Sequence, residues 1–374
     1  MKIKSVEVFP APLPLRKPFA IALGVMTHSP NVVVRIKTDE GVTGYGEAST
    51  WHVVYGYDQR SLVQAIKQYL TPAVIGMDPF DIEGIVKRMD SVLPKNRMAK
   101  AGVETACQDV RAKAVGLPLT RLLGGATPQA IEVLAAVDIV PVAEAESLTR
   151  LWVEKGFGCI KIKVGLNVSE DIERVRVVRE TAGPAIRLRV DGNQGYDRAQ
   201  AMKACKAFEA FDLQWIEQPL PDWDFDGLAE LARAFSTPIA VDESITGLHD
   251  VYRVARSGAA DVINIKIAKC GGISNSLKIA HAAESAGLPC FLGGCIETGV
   301  GTAAALHFAA SCPNLVPEIE MPGSDVFTDD LLMEPLVVNN GTIPLPQKPG
   351  IGVDVNEDKL VMYGDLARKL WSET

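Results

Sequence analysis

Lysines and acids recur along this chain at nearly constant intervals. Lys163, Asp191, Glu217, Asp242 and Lys266 are separated by 28, 26, 25 and 24 residues, and Lys161 precedes Lys163 by two. Each ends a short apolar run, so if one interval is one strand–helix unit, the groups share one depth on one rim. Three carboxylates converging there repel one another unless a cation sits among them. Hard oxygen donors suit Mg²⁺ or Mn²⁺ rather than zinc. A lysine on either side of the acids could remove or deliver a proton on either face of a substrate. An amine of pKa about 10.4 must fall to near 7–8 to act as a base at neutral pH, roughly 4 kcal/mol against the ammonium. Lys161, on the same side of its strand as Lys163 by the two-residue period, supplies one such pressure, and the metal's charge the other. Singly, these residues mean little: a K-x-K often ends a strand in solvent, and Asp191-Gly192-Asn193 alone reads as a turn or helix cap. The ordered set Lys-Lys-Asp-Glu-Asp-Lys is much harder to obtain by accident.

The elements that must position this set follow from the hydrophobic pattern. Short β-branched runs at 132–139, 159–165, 186–192, 213–219, 238–244, 261–269, 289–295 and 314–320 alternate with helical stretches, at a spacing of about 25 residues. Each run but the last precedes a helix-like segment, which predicts a (β/α)₇β barrel over 128–320. Before it, KIKSVEVFPAPL and NVVVRIKTDEGVTGYGEA alternate like antiparallel strands, with a turn at Asp39-Glu40-Gly41, and 61–124 has helical period. This predicts an α+β capping domain over 1–127, acting as a specificity lid. The Pro/Gly/Asp-rich segment 321–374 is expected to return to the cap. The fold class is therefore α/β: a modified TIM barrel under an N-terminal cap.

Composition narrows the partners. Among 374 residues, 38 basic and 46 acidic side chains give a net charge of −8, which argues against general nucleic-acid binding. No charge-free run of about 18 apolar residues is present, so no membrane span is expected, and the first twenty residues hold no apolar signal core. Seven scattered cysteines without a CxxC suggest reduced thiols and a cytoplasmic protein.

The motifs KIKVG (161–165), VDGNQGYD (190–197), WIEQPL (215–220), VDES (241–244) and INIKIAKCGG (263–272) together resemble the enolase superfamily, in its muconate lactonizing enzyme subgroup. DEGVTGYGEA (39–48) and PGIGVD (349–354) extend the resemblance over nearly the whole chain. It implies Asp191, Glu217 and Asp242 as Mg²⁺ ligands, Lys163 and Lys266 as acid–base catalysts, Lys161 as the residue that tunes Lys163, and a homo-oligomer. The mandelate racemase subgroup places a histidine near the seventh strand; PCFLGGCIETG has none, which disfavours that subgroup. The chemistry implied is abstraction of the proton α to a carboxylate on a small molecule, through an enolate. A racemase or epimerase of N-acyl amino acids or dipeptides is the preferred outcome, with a muconate-type cycloisomerase or a dehydratase as alternatives. A non-catalytic binding protein is disfavoured, since no member of the charged set is lost.

Substrate contacts are less sharply marked. Dipeptide epimerases of this family carry Asp-x-Asp near the eighth strand, where this chain has Glu318 and Glu320; cycloisomerases carry one Glu, which Glu320 fits equally. GVGTAA (299–304) matches a dinucleotide pattern only weakly. Glu297 and Thr298 are expected to line the pocket, with the following helix N-terminus favouring an anion. Segments 15–30 and 49–59 are the expected lid loops, with Thr27, His28, Trp51 and Tyr55 as candidate contacts, and Asn193 is a further candidate beside Asp191.

Overall fold

In the computed structural model, residues 1–372 are described. The chain opens with β1 (Ile3–Ile21), β2 (Gly24–Thr38) and β3 (Thr43–Ala48), an antiparallel sheet in that order. Helices His52–Tyr55, Gln59–Ala65, Thr71–Val74, Ile82–Val92, Arg97–Ala114 and Leu119–Leu122 follow. Alternation along β2 divides its residues between two cores. Val32, Val34 and Ile36 pack with Met98, Val103, Ala106 and Val110 of the long cap helix, while Val33 joins the core of the rest of the chain. Gly46 in β3 lets that helix approach backbone to backbone: a Cβ there would lie 2.2 Å from the Gly102 carbonyl oxygen.

Segment 15–30, expected as a loop, is instead the far end of the β1–β2 hairpin. Phe19 pairs with Met26, Ala20 with Val25 and Ile21 with Gly24, after an irregularity between Pro14 and Phe19. Pairing holds because Ile21 and Met26 are buried, which ties the hairpin end to the core. Its tip rests on the rim of the second layer, where a Cβ built at Gly195 would come within 2.8 Å of the Ala22 Cβ. Segment 49–59 contains one helical turn and the cap of the next helix, in which Asp58 accepts from the Ser61 amide.

β4 (Ala130–Glu132) leads into a seven-stranded parallel sheet. Its strands are β5 (Ala135–Val137), β6 (Cys159–Lys163), β7 (Arg187–Asp191), β8 (Leu213–Glu217), β9 (Ile239–Val241), β10 (Val262–Ile265) and β11 (Cys290–Leu292), arranged in sequence order. Helices Val142–Glu154, Val168–Ala182, Arg198–Phe208, Phe225–Ala234, Leu248–Ser257 and Ile273–Ser285 connect them, and Gly299–Ala309 follows the last. β9 and β11, buried on both faces, are apolar throughout, whereas β6 and β7 alternate apolar residues with the buried Lys161, Lys163 and Arg189. The run 314–320 forms bridges rather than a regular strand. Leu315 bridges Cys290 in β11, and Ile319 bridges Val133 just before β5. Pro317 has no N–H to donate, and Glu318 adopts a positive φ of 58°, so a continuous ladder is interrupted there.

β12 (Thr342–Pro344) pairs antiparallel with β4, so the predicted first run is shared between two sheets. Helix Glu357–Ser372 packs on β1, and Tyr45 Oη donates to Glu357 Oε1 at 2.6 Å. All seven cysteines are buried and free. Among the described residues, no helix is long and apolar enough to cross a membrane.

Candidate active site

Parallel register builds the site. Lys163 at the end of β6 lies beside Asp191 at the end of β7, and Asp191 lies beside Glu217 at the end of β8. Glu217 is level with Ala240, so Asp242 follows just past β9, and Lys266 caps the short helix Ile267–Cys270 directly after β10. Every one of these side chains is buried, although solvated strand ends are the common case.

The acids do not meet at one point; ammonium groups stand between them. Lys161 Nζ lies 3.0 Å from Asp191 Oδ2, 2.8 Å from Glu217 Oε2 and 2.9 Å from Glu320 Oε2. Lys163 Nζ donates to Asp191 Oδ2 at 2.7 Å, confirming that both lysines project from one side of β6. Lys266 Nζ lies 2.6 Å from Asp242 Oδ2 and 3.2 Å from the Tyr55 hydroxyl. For this reason, among the described residues no three His, Cys, Asp or Glu side chains already form a metal cage. Their chemistry nevertheless fits a hard divalent cation. Glu217 Oε2, Asp242 Oδ2 and Glu243 Oε2 are buried and accept no aligned hydrogen bond, the neighbouring ammonium groups lying off their bonding directions.

The titration of this cluster follows from burial against charge. Burial favours neutral Asp191, but Lys161 and Lys163 outweigh it and hold its carboxyl down at about 2. Asp242 is likewise held low, by Lys266 and Lys269 against its burial. Glu217 is pushed up to about 7 by burial and by Asp191, and Glu243 to about 8 by burial and by Asp242. At Lys266 the expectation of a lowered pKa is reversed in the chain by itself. Burial does act to discharge Lys266, but Asp242 overcomes it, and the same balance holds Lys161 charged well above its ordinary range.

The remaining candidates separate. Glu320 reaches Lys161 and, at 3.8 Å, Lys163. Glu318 turns elsewhere: it pairs with Arg187, and with Arg189 at 3.1 Å. Arg189 is fully buried, stacks 4.0 Å from the Trp215 ring, and also donates to the Pro317 and Glu318 carbonyls. Trp51 is buried against Phe19, whose ring lies 5.7 Å from Lys163 Nζ. Thr27 and His28 are exposed on β2 and contact each other at 3.2 Å, apart from the lysines. Asn193 donates its side-chain amide to Glu243 Oε1 at 3.2 Å.

Glu297 and Thr298 serve the joint between layers. Thr298 caps the helix Gly299–Ala309, and its amide and that of Gly301 both donate to Glu47 of β3 at 2.9 Å. Glu297 accepts from the Cys295 amide and is pushed up to about 7 by burial and by Glu47. Together Glu47 and Glu297 line a small buried cavity with Thr105 and Met321, so the carboxyl at this helix N-terminus is the protein's own Glu47.

Sequence spacing passed over Lys269, Asn264, Glu243 and Glu47. Lys269 carried a signal, lying one helical turn after Lys266 and therefore on the same side. The strand-end search did not reach it.

Rim lysines, buried acids and an antiparallel cap define the class: an α/β enzyme of acid–base chemistry. Comparison with known proteins gives the family. Residues 3–124 match the mandelate racemase / muconate lactonizing enzyme N-terminal domain, and 143–359 match the enolase C-terminal domain-like family. The chain is 35% identical to the N-succinyl-L-Arg/Lys racemase of Bacillus cereus, over 98% of this chain and 100% of that protein. It is also 35% identical to muconate cycloisomerase 1 of Rhodococcus opacus, over 96% of this chain and 97% of that one. A solved dipeptide epimerase from Cytophaga hutchinsonii, complexed with Mg and D-Ala-L-Val, superposes with a TM-score of 0.91 at 32% identity, covering 96% of this chain and 98% of the other. The chain belongs to the mandelate racemase / muconate lactonizing enzyme family of the enolase superfamily, in the muconate lactonizing enzyme subgroup, and is an isomerase.

Proposed function

We propose that this protein is a Mg²⁺-dependent racemase or epimerase of an N-acyl amino acid or dipeptide, working by 1,1-proton transfer. The observation that carries this reading is the bracketing of the acids: Lys163 sits on Asp191 and Lys266 on Asp242. Asp191, Glu217 and Asp242 would hold Mg²⁺, or Mn²⁺, which supplies positive charge against the second negative charge that grows on the substrate carboxylate. One lysine removes the α proton to give an enolate, and the other returns a proton to the opposite face. Lys161 keeps its positive charge against Asp191 and Glu217 and stands beside Lys163 on the same side of β6. The hairpin tip of the cap, with Phe19, Trp51 and Tyr55, covers the lysines and excludes water.

The finer architecture belongs to the same proposal. The bridges of 314–320 to both edges support reading the sheet as a (β/α)₇β barrel over 128–320, beneath a cap of 1–127 joined by 321–374. A homo-oligomer in the cytoplasm agrees with the family and the free thiols.

Incubation with N-acyl amino acids and dipeptides in D₂O with Mg²⁺ should place deuterium at Cα of the true substrate, read by mass spectrometry. Lys163→Ala and Lys266→Ala should each lower kcat/KM by about 10³-fold or more. Full epimerisation by Lys266→Ala would overturn the two-base mechanism. One observation favours a second reading, a muconate-type cycloisomerase: with Glu318 turned away, Glu320 is the one acid of the run 314–320 that reaches Lys161 and Lys163. Loss of muconate absorbance on adding enzyme and Mg²⁺ would establish it.

A further inference from the structure

Each of the three rim acids has one oxygen held by Asn193, Asn264 or Lys269 and the other facing Lys161, Lys163 or Lys266. Asp191 Oδ1 accepts from the Asn193 amide at 3.0 Å. Glu217 Oε1 accepts from the Asn264 side chain at 2.7 Å. Asp242 Oδ1 is held by charge rather than by an aligned hydrogen bond, ion-paired with Lys269 at 2.8 Å. The second oxygens, Asp191 Oδ2, Glu217 Oε2 and Asp242 Oδ2, face the ammonium groups of Lys161, Lys163 and Lys266.

The two lysines on Asp242 differ in how firmly they are held. Lys269 is buried and also donates to the main-chain carbonyls of Asp242 and Asn264, so its three donors face three oxygens at the ends of β9 and β10. Asn264 is fixed in turn, its Oδ1 accepting from the Gly293 amide at 3.0 Å. Among the described residues Lys266 has only Asp242 Oδ2 and the Tyr55 hydroxyl, so it can exchange the carboxylate for another partner.

We infer that Lys269 and Asn264 are positioning residues that restrict Asp242 and Glu217 to one oxygen each, and thereby set the preference of the site for Mg²⁺ over Ca²⁺. The inference rests on the proposed role of these acids as metal ligands. Mg²⁺ demands a near-octahedral set of single oxygens, whereas Ca²⁺ gains from carboxylates that offer both. Three one-oxygen acids match the first demand and deny the second. Releasing either pin restores a two-oxygen acid and with it the larger ion.

The test uses the full-length protein without substrate. Mg²⁺ and Ca²⁺ are titrated separately by calorimetry into wild type, Lys269→Met and Asn264→Ala, with circular dichroism and thermal melting to confirm folding. The ratio Kd(Ca²⁺)/Kd(Mg²⁺) should fall at least tenfold in a folded variant. A ratio within twofold of wild type in either folded variant overturns the inference, even if both affinities weaken together, because a merely structural role would weaken both alike. The two variants release different acids, so failure of one to fold leaves the other decisive. Wild type that binds neither cation would overturn the metal reading itself; wild type that binds Mg²⁺ with unmoved variant ratios overturns only the pins.

Discussion

Glu318 and Glu320 stand two residues apart, yet only Glu320 reaches the lysines. The positive φ of Glu318 and its pairing with Arg187 and Arg189 commit it to the packed interior. Glu318→Gln should therefore lower stability by about 2 kcal/mol, the worth of a buried charge-assisted hydrogen bond, while kcat/KM stays within about threefold. Thermal melting beside steady-state kinetics checks this, and a large loss of kcat/KM in a stable variant would return Glu318 to the substrate pocket. At this scale the sequence was legible wherever strand repetition fixes position. Lys163, Asp191 and Glu217 share a rim because parallel register leaves no other arrangement. Lys269 and Asn264 were not legible as pins, since their roles depend on side chains reaching across to neighbouring strand ends, and spacing does not encode that reach. Nor does spacing show which acid faces which ammonium.

Among the elements, β3 and the helix Arg97–Ala114 carry the cap through a contact that tolerates no side chain at Gly46. Gly46→Ala would place its Cβ against the main chain of Gly102 and Ala106, so relief requires moving the whole helix. We expect a loss of about 3 kcal/mol, at the upper end for overpacking, measured by denaturant unfolding; unchanged stability would mean that the helix slides freely on the sheet. Parallel strands were readable from their periods: seven of the eight expected runs each contain a strand of the parallel sheet. The far end of the β1–β2 hairpin was not, because Pro18 and Pro30 imitate a loop within a stretch held extended by tertiary burial. The run 314–320 shows the converse: β-like residues whose ladder Pro317 and Glu318 interrupt.

For the molecule as a whole, His307 joins three distant segments. Its Nδ1 accepts from Thr120, with the hydroxyl at 2.7 Å, and its Nε2 is 3.1 Å from the Ile351 carbonyl, which therefore takes the ring proton. That neutral tautomer leaves no site for a second proton, and burial lowers the ring to about 4 from an ordinary 6.5. Between those values only the unfolded chain gains the proton, so stability falls as pH falls through this window and levels off below it. The component amounts to about 3 kcal/mol. Melting curves from pH 4 to 7 should show it in wild type and lack it in His307→Gln; parallel pH profiles would exclude His307 as the source.

The docking of helix Glu357–Ser372 on β1 also fixes an order of events during synthesis. Arg35 and Tyr45 wait for Glu357, which the ribosome adds about 300 residues later. At roughly 5–20 residues per second, the nascent cap spends about 15–60 s with one flank of β1 uncovered. An unfinished chain therefore presents an unprotected strand to its neighbours on the polysome, and translational pauses late in the message would lengthen that exposure.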